Sequence, residues 1–124
     1  FVHGHNFPVL RTDAGNLALA ICYEISVTQH AEDAFTQGAE IYIASVAKFV
    51  HGIDTASKRL STLAKKYSSM VMMANCVGQA DGLVCAGKSS AWNTQGELIA
   101  QLDDHHEGII MVDTDTQEVI QRII

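Results

Sequence analysis

The sequence predicts an α/β domain built on a largely parallel sheet, and three observations carry that expectation. Short apolar runs alternate with segments of helical spacing from residue 9 to residue 76, in the order strand, strand, helix, strand, helix, strand. Turn signals rich in Gly, Asp and Asn separate them. The chain is 124 residues long, one domain's worth of sequence, and contains no repeat, linker or low-complexity segment.

In chain order, Val9-Leu10-Arg11-Thr12 reads as a short strand closed by the turn Asp13-Ala14-Gly15-Asn16. Residues 17–22 are a continuous apolar run too short for a helix, which predicts a strand buried on both faces. Residues 28–37 put Ala31, Ala34 and Phe35 on one helical stripe, with Gly38 placed to end the helix. Residues 41–46 form the next strand. Residues 55–67 return to helical spacing, with Ala56, Leu60, Leu63, Ala64 and Tyr67 in register. Residues 70–76 make a third buried strand. Residues 88–92, 98–101 and 108–112 read as strands joined by short turns, an antiparallel addition to the sheet. Asp113 to Gln117 offers helix-capping side chains, which predicts a short terminal helix over residues 118–124.

Composition narrows the function. Nearly half the residues are apolar, 48%, and one is Pro, so the chain is globular and not disordered. Fourteen acidic residues against eight basic ones leave a net charge of −6, with no Lys/Arg cluster to meet a phosphate backbone, which excludes nucleic acid as an expected partner. No apolar stretch approaches the roughly 18 residues that span a bilayer, so no membrane partner is expected. Three cysteines, an odd number without scaffold spacing, fit a reducing compartment, and the expected location is the cytoplasm. The first residues lack the pattern of a signal peptide. Phe1 stands where an initiator Met is usual, which agrees with a fragment.

Cys22 is the first candidate for chemistry. It ends a buried strand just before a loop-to-helix transition, the edge of an α/β sheet where active sites collect. A thiol needs a base or a positive neighbour to ionise, and its attack on a carbonyl needs donors for the oxyanion. The N–H of Tyr23 is placed to be such a donor, and Glu24 to bond a base or a substrate amine. The plain alternative is a buried structural cysteine. Cys76 reads as core within its strand and Cys85 as part of a glycine-flanked loop or strand start, and neither has a Cys-x-x-Cys partner. His3 and His5 near the start, and His105 and His106 in a polar turn, show no ligand-spaced cluster, so neither metal nor other cofactor is expected. His30 is the one histidine that could pair with Cys22, about two helical turns away and too distant for comfort. Lys48 could line the Cys22 crevice, although a solvated loop lysine is the commoner explanation.

At this point the residues resemble a family. The run Gly15-Asn16-Leu17-Ala18-Leu19-Ala20-Ile21-Cys22-Tyr23-Glu24 is similar to the nucleophile segment of the nitrilase superfamily of carbon–nitrogen hydrolases. Gly38-Ala39-Glu40, Ala74-Asn75-Cys76-Val77-Gly78, Gly87-Lys88-Ser89, Asn93-Thr94-Gln95-Gly96-Glu97 and Gly108-Ile109-Ile110-Met111-Val112-Asp113 resemble further landmarks of that family, in order. The resemblance implies the C-terminal half of a nitrilase-like αββα sandwich, a mixed sheet with helices on one face, over residues 1–124. It implies Cys22 as nucleophile, the Tyr23 N–H as oxyanion donor and Glu24 as a residue that shapes the site. The family's Glu base and its Lys precede the nucleophile, and residues 1–21 contain neither.

The expected activity is therefore cleavage of a non-peptide amide C–N bond through a thioester, amidase-like, with a small amide or nitrile as substrate. The 124 residues alone are expected to be inactive. Without its other half the sheet would expose an apolar face, so the chain is expected to associate with that half or with a copy of itself. The alternative reading is a non-catalytic truncated homologue serving as an assembly module. Thr28-Gln29 in place of the family's Pro-Glu, and Lys66-Tyr67 in place of Glu-Asn, depart from its pattern.

Overall fold

The computed structural model describes residues 9–124. Its main sheet has six strands in the order β1-β2-β3-β4-β7-β8. These are β1 (Leu10–Thr12), β2 (Gly15–Ile21), β3 (Ile41–Val46), β4 (Met70–Asn75), β7 (Ser90–Trp92) and β8 (Leu98–Gln101). Strands β2, β3 and β4 run parallel, while β1, β7 and β8 are antiparallel additions. The crossovers between the parallel strands are helices α1 (Thr28–Thr36) and α2 (Ile53–Tyr67), as a parallel sheet requires. The mixed sheet with helices is the predicted class. Helix α2 starts two residues before the predicted position, and α1 ends as expected, with Gly38 at φ +96 just past its last turn.

One face of the sheet makes the core. Register aligns Ala18 with Tyr42 and Val71, and Ala20 with Ala44 and Met73. All six are buried, together with Ala31, Ala34, Ala56, Leu60 and Ala64 from the two helices. Small alanines on β2 and α1 let the helices sit close, and the large Tyr42 and Leu60 fill the centre.

The other face corrects the expectation that residues 17–22 are buried on both sides. Leu19 is 50% exposed and Ile21 64%, so β2 is half open. Towards β4 the same face closes: Met72 and Ile43 border an apolar cavity of about 270 Å³ roofed by Ile109 and Ile110. That roof is a separate hairpin, β9 (Gly108–Val112) with β10 (Val119–Ile123). The predicted terminal helix over 118–124 is therefore a strand. Asp113 does cap, but it caps a turn: its carboxylate accepts the N–H groups of Asp115 and Thr116, each at 2.9 Å, and the chain reverses there. The β-branched Val119, Ile120, Ile123 and Ile124 then favour the extended state.

A second small hairpin, β5 (Val77–Ala80) with β6 (Leu83–Ala86), was not expected. It corrects the reading of Cys76, which lies beyond the end of β4 and is half-buried, and it places Cys85 within β6, buried. No helix among the described residues is long and apolar enough to cross a membrane.

Candidate active site

Strand β2 delivers Cys22 to the carboxyl edge of the parallel strands, and the backbone turns there. Cys22 takes φ +44, the left-handed region, and opens a 3-10 turn over Cys22–Ser26. Few side chains other than Gly enter that region, so the position is an exception the surroundings must hold in place. The thiol is exposed. Cys22, Tyr23 and Glu24 supply the first N–H groups of the turn, the positions at which a helix start has no partner of its own for a donor. Tyr23 is 75% exposed.

Glu24 turns back on this corner. Its Oε2 accepts the N–H of Ile21 at 2.7 Å and stands 3.4 Å from His30 Nε2. His30 Nδ1 is 2.8 Å from the hydroxyl of Tyr42, which is fully buried. Burial, with the nearby Glu24 carboxylate, holds the Tyr42 phenol far above its usual range, so the hydroxyl stays protonated beside the imidazole. Burial also lowers His30 below its usual pKa, against the opposing pull of Glu24 and Asp33. The corner thus hangs on a chain from core to surface: Tyr42, His30, Glu24, Ile21. His30, considered as a partner for Cys22, is engaged with Glu24 and Tyr42.

Further along the same edge, Asn75 ties three segments together. Its Oδ1 accepts the Lys48 N–H at 2.8 Å, and its Nδ2 donates to the carbonyls of Lys48 at 3.1 Å and Gly87 at 2.8 Å. Its own N–H donates to Ser89 Oγ at 2.9 Å. Lys48 therefore enters the edge through its backbone, which also accepts the Ala86 N–H at 2.9 Å. Sequence reasoning noted Asn75 only as part of a motif. An amide that both donates and accepts, at a strand end flanked by loops, was the available signal. His105 and His106, read as lacking a cluster, converge with Asp103. His3 and His5 lie outside the described residues.

A family model for carbon–nitrogen hydrolases matches residues 1–123. The chain belongs to the carbon–nitrogen hydrolase family. A probable nitrilase of Schizosaccharomyces pombe is 27% identical over 120 residues, 95% of this chain and 43% of the relative. A mutant amidase from Nesterenkonia AN1, of the nitrilase superfamily, has a TM-score of 0.77 at 24% identity, over 85% of this chain and 40% of that one. Saccharomyces cerevisiae Nit3 has a TM-score of 0.76 at 17% identity, over 97% of this chain and 41% of its own. These structures share the fold. The carbon–nitrogen hydrolase chain described here spans less than half the length of each of these relatives.

Proposed function

We propose that Cys22 is the nucleophile of an amidase-like carbon–nitrogen hydrolase acting on a small non-peptide amide. The observation that carries this reading is the left-handed turn that presents an exposed thiol at the carboxyl edge of β2, at the start of a 3-10 turn. Thiolate attack on the amide carbon makes a tetrahedral oxyanion, to which the Tyr23 N–H donates a hydrogen bond. The C–N bond then breaks, the amine leaves with a proton, and a thioester remains. Water cleaves the thioester to the acid and restores the thiol. Glu24, bound to Ile21 and His30, is a positioning residue. A related amidase from Nesterenkonia carries the acetamide moiety of fluoroacetamide added covalently at its active-site cysteine.

Residues 1–21 contain neither the Glu base nor the Lys that the family resemblance implies before the nucleophile, so the chain alone is proposed to form the adduct without turning over. The three free cysteines support a cytoplasmic setting. A second reading, an assembly module without catalysis, draws on the exposed Leu19 and Ile21. Mass spectrometry after incubation with fluoroacetamide separates the two. The catalytic reading expects one acetamide adduct, on Cys22. Adducts on Cys76 at an equal rate, or none on Cys22 when its denatured thiol reacts, would sink it.

A further inference from the structure

The turn between β8 and β9 carries Asp103-Asp104-His105-His106-Glu107, and none of these residues takes part in the Cys22 corner. We propose that Asp103, His105 and His106 form a binding site for one divalent transition-metal ion of the zinc, nickel or copper class. A carboxylate oxygen and one nitrogen from each imidazole all lie within 4.8 Å of one another. His106 Nδ1 is 2.7 Å from Asp103 Oδ2, and His105 Nδ1 is 3.6 Å from Asp103 Oδ1. Ligands held about 2.0–2.1 Å from a tetrahedral ion stand roughly 3.3 Å apart, between those two separations. An ion therefore enters by replacing the proton shared between imidazole and carboxylate, with small side-chain adjustments. Asp104, 2.7 Å from His105 Nδ1, yields that contact or joins the shell.

The carboxylate is in place before any ion arrives. Asp103 Oδ1 accepts the N–H groups of His105 at 3.0 Å and His106 at 2.7 Å. Its backbone carbonyl accepts the Lys88 N–H at 2.9 Å. Gly87, at φ +58, approaches so closely that a Cβ would sit 2.8 Å from that carbonyl oxygen, which fixes the base of the turn against the strand beside it.

An open space adjoins two of the three donors. Asp103 and His106 form part of the wall of a cavity of about 280 Å³, and Glu107 and the half-buried Cys76 line the same space. Water can complete the shell from there. Two imidazoles with one carboxylate suit borderline metals and are a poor set for calcium or magnesium, which take oxygen. The carboxylates of Asp103, Asp104 and Glu107 offset the charge of the ion.

The site is tested by calorimetric titration of the 124-residue chain with zinc chloride and, separately, magnesium chloride. The background carries His3→Ala, His5→Ala, His51→Ala and Cys22→Ala, which removes the exposed thiol and every histidine outside the cluster except His30. One equivalent of zinc is expected to bind, with no saturable magnesium binding. His105→Ala and His106→Ala are each expected to weaken zinc at least tenfold. Both imidazoles are exposed, 66% and 54%, so their removal leaves the fold intact, and unchanged melting without metal verifies it. Zinc is also expected to raise the melting temperature of the background protein and not of the two histidine variants. Absent saturable zinc binding, or binding equally tight in both variants, overturns the site.

Discussion

The carboxylate of Glu24 accepts the backbone N–H of Ile21 at 2.7 Å, so the residue two places after Cys22 binds the residue one place before it. The loop around the thiol is closed by a side chain within it. Because Glu24 also faces His30, the same oxygen joins the corner to helix α1.

Removing that oxygen should loosen the corner. Glu24→Ala is expected to lower the unfolding free energy by about 1 kcal/mol, the usual cost of a lost helix-start cap. Glu24→Gln, which retains an acceptor, should cost less. Urea denaturation followed by circular dichroism measures both, and equal losses would mean that the charge, not the hydrogen bond, holds the turn.

The three thiols should separate by access. Native protein treated with iodoacetamide is expected to modify Cys22 first, half-buried Cys76 more slowly and buried Cys85 last. Hydrogen bonding to Cys76, with burial, also raises the Cys85 thiol above its usual pKa, which slows it further. Time-resolved peptide mapping reads the order, and Cys76 ahead of Cys22 would contradict the exposure of the turn.

Asn75 should matter more than its partial burial suggests. Asn75→Ala removes bonds to Lys48 and Gly87 at once and leaves backbone groups of both without that partner, an expected loss of about 2–3 kcal/mol. Asn75→Asp keeps the acceptor for the Lys48 N–H but faces two carbonyls with a carboxylate, and should also destabilise. Thermal melts of the two variants test this, and a shift within error for Asn75→Ala would show that water replaces the clamp.

His30 predicts a direction with pH. Its folded pKa lies below the unfolded value of 6.5, because burial outweighs Glu24 and Asp33. Its contribution to stability is therefore complete above about pH 6.5 and is lost as pH falls through the folded pKa. The stability difference between the native chain and His30→Gln should shrink between pH 7 and pH 5. A difference that is constant over that range would mean that His30 keeps its unfolded affinity for protons.

Much of this architecture was legible because period and length sufficed. Ile41–Val46, Leu98–Gln101 and Gly108–Val112 stand at their predicted bounds, being short β-rich runs between unambiguous turns. The failures share a cause: local chemistry that serves two structures. Asp113 caps a turn with the same hydrogen bonds that begin a helix, and only the β-branched residues beyond it argue for a strand. Residues 17–22 are as apolar as a doubly buried strand, yet Leu19 and Ile21 face outward, since burial depends on what covers them. At the candidate site, Cys22 and Glu24 could be named from sequence, but the reach of Glu24 to Ile21 and of Asn75 to Lys48 arises from dihedral angles and register. Asp103, His105 and His106 were visible as a polar turn, and their convergence was not.

Cys22 at φ +44 sets stability against reactivity in one residue. A left-handed conformation costs an L-residue about 1–2 kcal/mol and costs glycine nothing comparable. Cys22→Gly should therefore yield a protein that melts higher than the native chain while losing the thiol. Cys22→Val, whose branched Cβ fits the turn worst, should melt lower than Cys22→Ala. The chain keeps at this corner a conformational tension that a more robust molecule would release, and it does so at the one place where a sulfur is offered to solvent from a strand end.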